Sequence, residues 1–320
     1  MRRIVFALAA SLALAAQAQD WPSKSLRAIV PFPAGGGVDF VTRTVAQRLS
    51  EVLKQSVIVE NRTGASGTIG ADTLAKSAPD GYTFMVASPA EVLVAPIAGQ
   101  KTPYDPERDL LPVTLIGETP LVLMANPSVQ AKSLPELIDL AKSKPGTLSY
   151  ATPGNGSAQH FAGEALSGIA GVELQHVPYR GAAPAVRDVI GGQVPLGISG
   201  MPPTVQHAKS GKLRIIAVTS AGRSGAMPDV AAVAETRGFS GYRFTNWMGL
   251  YVPAGTPAAV VERLATEVGK IVREPEIRAK LLAGGVDPIG NTPAEFRAFL
   301  ESERAAYTKV AKERNVKVQQ

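Results

Sequence analysis

Cysteine is absent from all 320 residues, which excludes disulfides, thiolate metal ligands and a lipid anchor attached through a cysteine. Stability must come from an ordinary apolar core. Aromatic residues make up only 6%, and the 33 Lys and Arg are scattered without a run of five or six. A nucleic-acid surface is therefore not expected. The three histidines, His160, His176 and His207, lie 16 and 31 residues apart and match no metal-site spacing. Asp105, Glu107 and Asp109 imitate the start of a calcium loop, but Leu110 and Ile116 stand where its glycine and terminal glutamate belong. The segment reads as a surface turn. No stretch reaches 18 continuous apolar residues, the length a membrane-spanning helix needs.

What is present begins with an export signal. Arg2 and Arg3 precede an apolar run from Ile4 to Ala16, and Ala16-Gln17-Ala18 supplies the small residues a signal peptidase requires. Residues 1–18 are expected to be removed after Ala18 on export. Loss of the two arginines lowers the formal charge from +6 to +4, a mild field that favours small anions. The remaining length and the 45% hydrophobic content suffice for two lobes.

Short apolar runs such as Leu26–Val30, Val57–Val59, Phe84–Ala87, Leu121–Ala125, Ile215–Val218 and Met248–Val252 alternate with helical-period segments, which implies an α/β fold. Pro31-Phe32-Pro33-Ala34-Gly35-Gly36-Gly37-Val38-Asp39 joins the first strand to a helix with Val41, Val45, Leu49 and Val52 on one face. Glycine amides can approach an anion closely, and a helix start adds positive partial charge. Asp39 is the expected N-cap, with or without a ligand. Thr152-Pro153-Gly154-Asn155-Gly156-Ser157 has the same position after the strand Leu148–Ala151, Ser157 capping a helix with Phe161, Leu166 and Ile169 inward. In open α/β sheets such loops gather at the carboxyl ends of strands, where ligands bind. Thr256-Pro257 and Thr292-Pro293 each read as a cap followed by proline in the first turn. No linker separates two halves, so a second lobe is expected as an insertion, with two crossing strands as the hinge.

Catalytic patterns fail. Gly64-Ala65-Ser66-Gly67-Thr68 and Gly197-Ile198-Ser199-Gly200-Met201 lack the final glycine of a nucleophile elbow, and Gln159 stands where a dinucleotide fingerprint needs glycine. About four charge-assisted backbone bonds at roughly 1.5–3 kcal/mol each suffice for micromolar capture of a small anion.

The ordered set of motifs resembles a known family. Besides the Pro31–Asp39 loop it comprises Glu60-Asn61-Arg62-Thr63-Gly64-Ala65-Ser66-Gly67-Thr68-Ile69-Gly70, Pro79-Asp80-Gly81-Tyr82-Thr83, Pro103-Tyr104-Asp105-Pro106, Pro178-Tyr179-Arg180-Gly181, Ser210-Gly211-Lys212-Leu213-Arg214 and Ala254-Gly255-Thr256-Pro257. The chain is similar throughout to the extracytoplasmic solute receptors of tripartite tricarboxylate transporters, the Bug receptors. The resemblance implies a two-lobed, type II periplasmic-binding-protein-like fold, with residues 19–124 and 247–320 in lobe 1 and 125–246 in an inserted lobe 2. It implies a carboxylate gripped by backbone amides: Phe32, Ala34, Gly35, Gly36, Asp39 and Ser88 from lobe 1, and Thr152, Gly154, Asn155, Gly156, Ser157, Tyr179 and Arg180 from lobe 2. One position departs from the family pattern. Ser199 stands where an aspartate is common, which removes a partner for an amino group and favours a plain mono-, di- or tricarboxylate. His160 reads as a helix residue and Arg180 equally well as a solvated charge.

The expectation is thus a monomeric binding receptor without cofactor, metal or catalytic residues, passing a small-molecule carboxylate to membrane components of a transporter. Two rivals are a secreted α/β hydrolase working through Ser66 or Ser199, and a sensor or scaffold subunit that signals to a membrane partner without transport.

Overall fold

The computed structural model describes residues 21–316; the expected signal peptide and its cleavage site lie outside them. β1 (Leu26–Val30) is the hub of the first sheet and pairs in parallel with β2 (Val57–Asn61) and β3 (Thr83–Ala87). Its residues alternate between two cores, as a strand with both faces covered must. Leu26, Ala28 and Val30 pack on α1 (Gly37–Leu53) and α7 (Ala258–Ile271), whereas Ile29 faces the opposite core. The intervening helices, numbered in chain order, are α2 (Thr68–Ala75), α3 (Leu134–Ser143), α4 (Ala158–Ala170), α5 (Ala182–Ile190) and α6 (Pro202–Lys209).

β4 (Leu110–Ala125) joins the two sheets. Its first part, Leu110 to Pro120, runs antiparallel to β9 (Thr245–Pro253), which also pairs with β3. From Leu121 to Ala125 it pairs instead with β7 (Leu196–Gly200) and β8 (Arg214–Val218). β5 (Ser149–Thr152), parallel to both β7 and β6 (Gln175–Pro178), completes the second sheet. The chain returns where Phe244 N–H bonds Thr219 O in the second sheet and Thr245 enters the first. The sheet change thus falls at 120/121 and 244/245, a few residues from the expected 124/125 and 246/247. Pro112, Gly117 and Pro120 all fall within the first part of β4. The strand accommodates them through two register shifts, between Pro112 and Thr114 and between Leu115 and Gly117.

The C-terminal elements are α8 (Pro275–Ala283), β10 (Asp287–Pro288) and α9 (Pro293–Arg314). α9 starts as read from the sequence: Thr292 Oγ1 accepts Glu295 N–H, and Glu295 Oε2 accepts Thr292 N–H. At 22 residues it is about 33 Å long, enough to reach both sheets. Phe296 packs on Trp247 and Tyr251 of the first. Tyr307 meets Phe161 of α4 and Phe244, and Arg314 Nε bonds Glu164 Oε2 at 2.8 Å. Two local expectations change: α7 begins at Ala258 with Pro257 as N-cap and no side-chain cap from Thr256, and Ile169, expected inward, is 49% exposed.

Candidate ligand-binding cleft

The loops after β1, β3 and β5 converge on one cavity of about 480 Å³ between the sheets. One wall is Phe32 to Ala34 with Gly36, Gly37 and Val38; another is Ser88, Pro89, Ala90 and Val94; Gly156 to Gln159 come from the second sheet and Asn246 from the returning strand. None of these lining residues carries a charged side chain. The cavity polarity comes from backbone groups and the neutral side chains of Ser88, Ser157, Gln159 and Asn246. The first turns of α1 and α4 both open into it, and among the described residues the N–H groups of Gly37, Val38, Ala158 and Gln159 meet no protein acceptor. Two helix N-termini therefore offer donors and positive partial charge to the same space.

The α1 loop is braced from behind. Asp39 was expected as the N-cap, but the cap falls three residues earlier, at Gly36. Asp39 lies in the first turn, 3% exposed. Its carboxylate accepts Gly35 N–H at 2.9 Å, Asn61 Nδ2–H at 2.9 Å and Arg43 Nε–H at 3.0 Å. Asn61 also donates to Phe32 O at 3.0 Å. Burial by itself raises the Asp39 carboxyl, but the hydrogen bonds from Arg43, Gly35 and Asn61 outweigh it and hold the group below the ordinary carboxylate range. Gly35, at φ +82°, takes a left-handed turn that disfavours a side chain. Its amide is consumed in holding the loop shape rather than offered to a ligand.

On the second side Ser157 Oγ accepts His160 N–H, as its capping position implied, and His160 Nδ1 accepts Gly156 N–H at 3.1 Å. His160 stacks on His176 with ring centroids 3.8 Å apart, and His176 Nε2 lies 2.6 Å from Thr152 Oγ1. Burial lowers both imidazoles, His176 to about 3 with added repulsion from His160. The pair is neutral and supports the loop from below.

Residues 41–316 match a family described as Tripartite tricarboxylate transporter family receptor. The chain belongs to that receptor family. Protein BugT of Bordetella pertussis is 34% identical over 315 residues, 98% of this chain and 96% of BugT. The solved structure of R. palustris Rpa4515 with adipate is 35% identical, covers 92% of this chain and 98% of that one, and has a TM-score of 0.77. MatC (Rpa3494) from Rhodopseudomonas palustris with bound malate is 28% identical at a TM-score of 0.72, covering 91% and 99%. The family resemblance read from the motifs and the two-lobed binding-protein fold are thereby borne out. A tripartite tricarboxylate transporter receptor is a solute-binding protein and not an enzyme.

Within this receptor the residues proposed from sequence separate into three groups. Phe32, Ala34, Gly36, Ser88, Gly156 and Ser157 line the cavity. Gly35, Asp39, Thr152 and Gly154 are outside the lining, and Asp39 and Thr152 support the loops through the bonds above; Asn155 is likewise outside it. Tyr179, Arg180 and Ser199 are not brought to the cavity. Tyr179 donates its hydroxyl to Asp188 at 2.7 Å, Arg180 is exposed, and Ser199 is fully buried with no partner for its hydroxyl among the described residues. A serine so enclosed has no base to activate it. Sequence reasoning missed Pro89, Ala90, Val94, Ala158, Gln159 and Asn246. Only Asn246 carried a signal, an amide immediately before the run Trp247–Val252. The candidate calcium turn is closed on itself, Asp105 and Asp109 accepting backbone amides of Glu107 and Asp105. Among the described residues no cluster of His, Asp or Glu could hold a metal ion, and no helix is long and apolar enough to cross a membrane.

Proposed function

We propose that this chain is exported to the periplasm, closes its two lobes around a small carboxylate and hands it to the membrane components of a tripartite tricarboxylate transporter. The observation that carries this reading is the pair of helix starts, Gly37–Val38 and Ala158–Gln159, opening with unpaired N–H groups into one cavity without a charged side chain. Main-chain donors bind an anion without a counter-charge. The walls between them are apolar: Phe32, Pro33, Val38, Pro89 and Val94. A dicarboxylate with a short carbon chain satisfies both ends and the middle. The similar structures with adipate and malate support that class. No carboxylate side chain in the lining awaits an ammonium group, so a plain acid is favoured over an amino acid. A ligand bridging both sides shifts the lobes toward the closed form, which a membrane partner can read.

A thermal-shift screen of ligand-stripped protein tests the reading with adipate, malate, citrate, benzoate and glutamate. A ligand at 100 times its Kd adds about 2.7 kcal/mol of stability. Tight glutamate or aspartate binding with no response to the plain acids overturns the preference. Turnover of a bound acid overturns the receptor reading. Gly37 supplies a second test. A Cβ built there meets no heavy atom within 4 Å and its φ is not left-handed, so Gly37→Val is expected to fold with an unchanged unfolding midpoint. The added methyls occupy cavity space in front of the α1 amides, and Kd should rise by about tenfold or more, equivalent to roughly 1.4 kcal/mol. Calorimetric titration measures it.

A further inference from the structure

Ser88 lines the cavity, yet its hydroxyl is already engaged by a buried acid. Glu91, in the π-helical turn Ala90–Val94, is 0% exposed. Its Oε1 accepts Ser88 N–H at 2.7 Å, and its Oε2 lies 2.7 Å from Ser88 Oγ. Ser88 Oγ also accepts Ala90 N–H at 3.3 Å. Among the described residues no Lys or Arg pairs with Glu91. Tyr104 donates its hydroxyl to the Glu91 main-chain oxygen at 2.6 Å, Asp72 of α2 acts on that same tyrosine, and Tyr251 of β9 faces Glu91 with a buried hydroxyl that has no partner among the described residues. A Cβ on Gly67 would come within 3.0 Å of Glu91 Oε2, so the space behind it is filled.

We propose that Glu91 is a positioning residue that gates the Ser88 hydroxyl, and that this receptor takes up one proton at Glu91 when it captures a carboxylate. The inference rests on the carboxylate reading above. With Glu91 ionised, its two oxygens accept Ser88 N–H and Ser88 O–H, and the only hydroxyl hydrogen points away from the ligand. With a proton on Oε2 the direction reverses. Glu91 O–H donates to Ser88 Oγ, whose two acceptor positions are then taken by Glu91 and Ala90 N–H, and the serine hydrogen is released to donate into the cavity. The protonated form therefore gives the ligand one more donor and removes a like charge from behind the wall. Burial pushes the Glu91 carboxyl up to about 7, which brings the switch into the neutral range.

Calorimetric titration with adipate between pH 6 and pH 9, in buffers of different ionisation enthalpy, is the test. The expected result is uptake approaching one proton per ligand above pH 7, with Kd rising about 10–100-fold by pH 9. Glu91→Gln mimics the protonated acid, since its Oε1 accepts Ser88 N–H and its Nε2 donates to Ser88 Oγ; it should hold Kd at the acid value with no proton uptake. Ser88→Ala should weaken binding and flatten the pH profile. Adipate binding with the same Kd and no proton uptake throughout overturns the gate while leaving the carboxylate reading intact. Failure of adipate, malate and citrate at every pH overturns that reading and this one with it. Thermal unfolding without ligand gives an independent check. The raised carboxyl lowers stability as pH climbs from its unfolded value toward 7, so the Tm advantage of Glu91→Gln should widen over that interval; a constant difference overturns the proposal.

Discussion

Asp39→Ala is expected to abolish measurable ligand capture and to lower stability by about 2–4 kcal/mol. The carboxylate is the common acceptor for Gly35 N–H, Asn61 Nδ2–H and Arg43 Nε–H. Its removal leaves Gly35 N–H without its acceptor and Asn61 Nδ2 with only Phe32 O, at a cost of roughly 1–3 kcal/mol for each lost bond. Arg43 is half exposed, so its ion pair adds little. The loss of binding is larger than the loss of stability implies. Without Asp39 the Pro33–Gly36 loop is no longer held against Asn61, and the helix-start amides lose their aim; misplacement by about 1 Å can cost two orders of magnitude. The depressed carboxyl fixes the sign of the pH effect. Its stabilisation is fully present above the unfolded carboxyl value near 4 and disappears as pH falls through the lower folded value. Denaturant midpoints of wild type and variant should differ at pH 7 and converge as pH falls below the ordinary carboxylate range. Equal midpoints at pH 7 contradict the bracing role.

Tyr307→Ala should destabilise the protein by about 3–5 kcal/mol, the range for deleting a buried aromatic ring. Tyr307 is 0% exposed and packs between Phe161 and Phe244, with centroids 4.9 and 5.3 Å away. Its ring is where the C-terminal helix meets the second sheet. Tyr307→Phe separates ring from hydroxyl. The hydroxyl is buried with no partner among the described residues, so its removal is expected to be neutral or stabilising by about 1 kcal/mol. Chemical denaturation of both variants decides the matter; a Phe variant as weak as the Ala variant means the hydroxyl holds a bond that this account lacks.

Expectations drawn from local chemistry were legible in the chain. Ser157 and Thr292 cap their helices because a short side-chain oxygen two or three residues ahead of unpaired amides has little alternative. Asp39 shows where that logic ends. Its type suits a cap, yet three glycines permit α1 to start earlier, and the carboxylate turns back to brace the loop. Ser199 reads like a cleft residue only because it follows a strand. Pairing β7 against Val122 of β4 encloses it. Val94 lines the cavity, but nothing local distinguishes it from other buried positions.

By itself the sequence determined the family, the alternation of strands and helices, and the glycine-rich helix starts, since each depends on residues close together in the chain. Tertiary structure alone decided which amides remain unpaired, that β4 and α9 tie both sheets together, and that Glu91 lies buried behind Ser88. Those facts depend on which distant segments exclude water from one another. Burial and hydrogen-bond satisfaction are properties of packed neighbours, and spacing along the chain does not encode them.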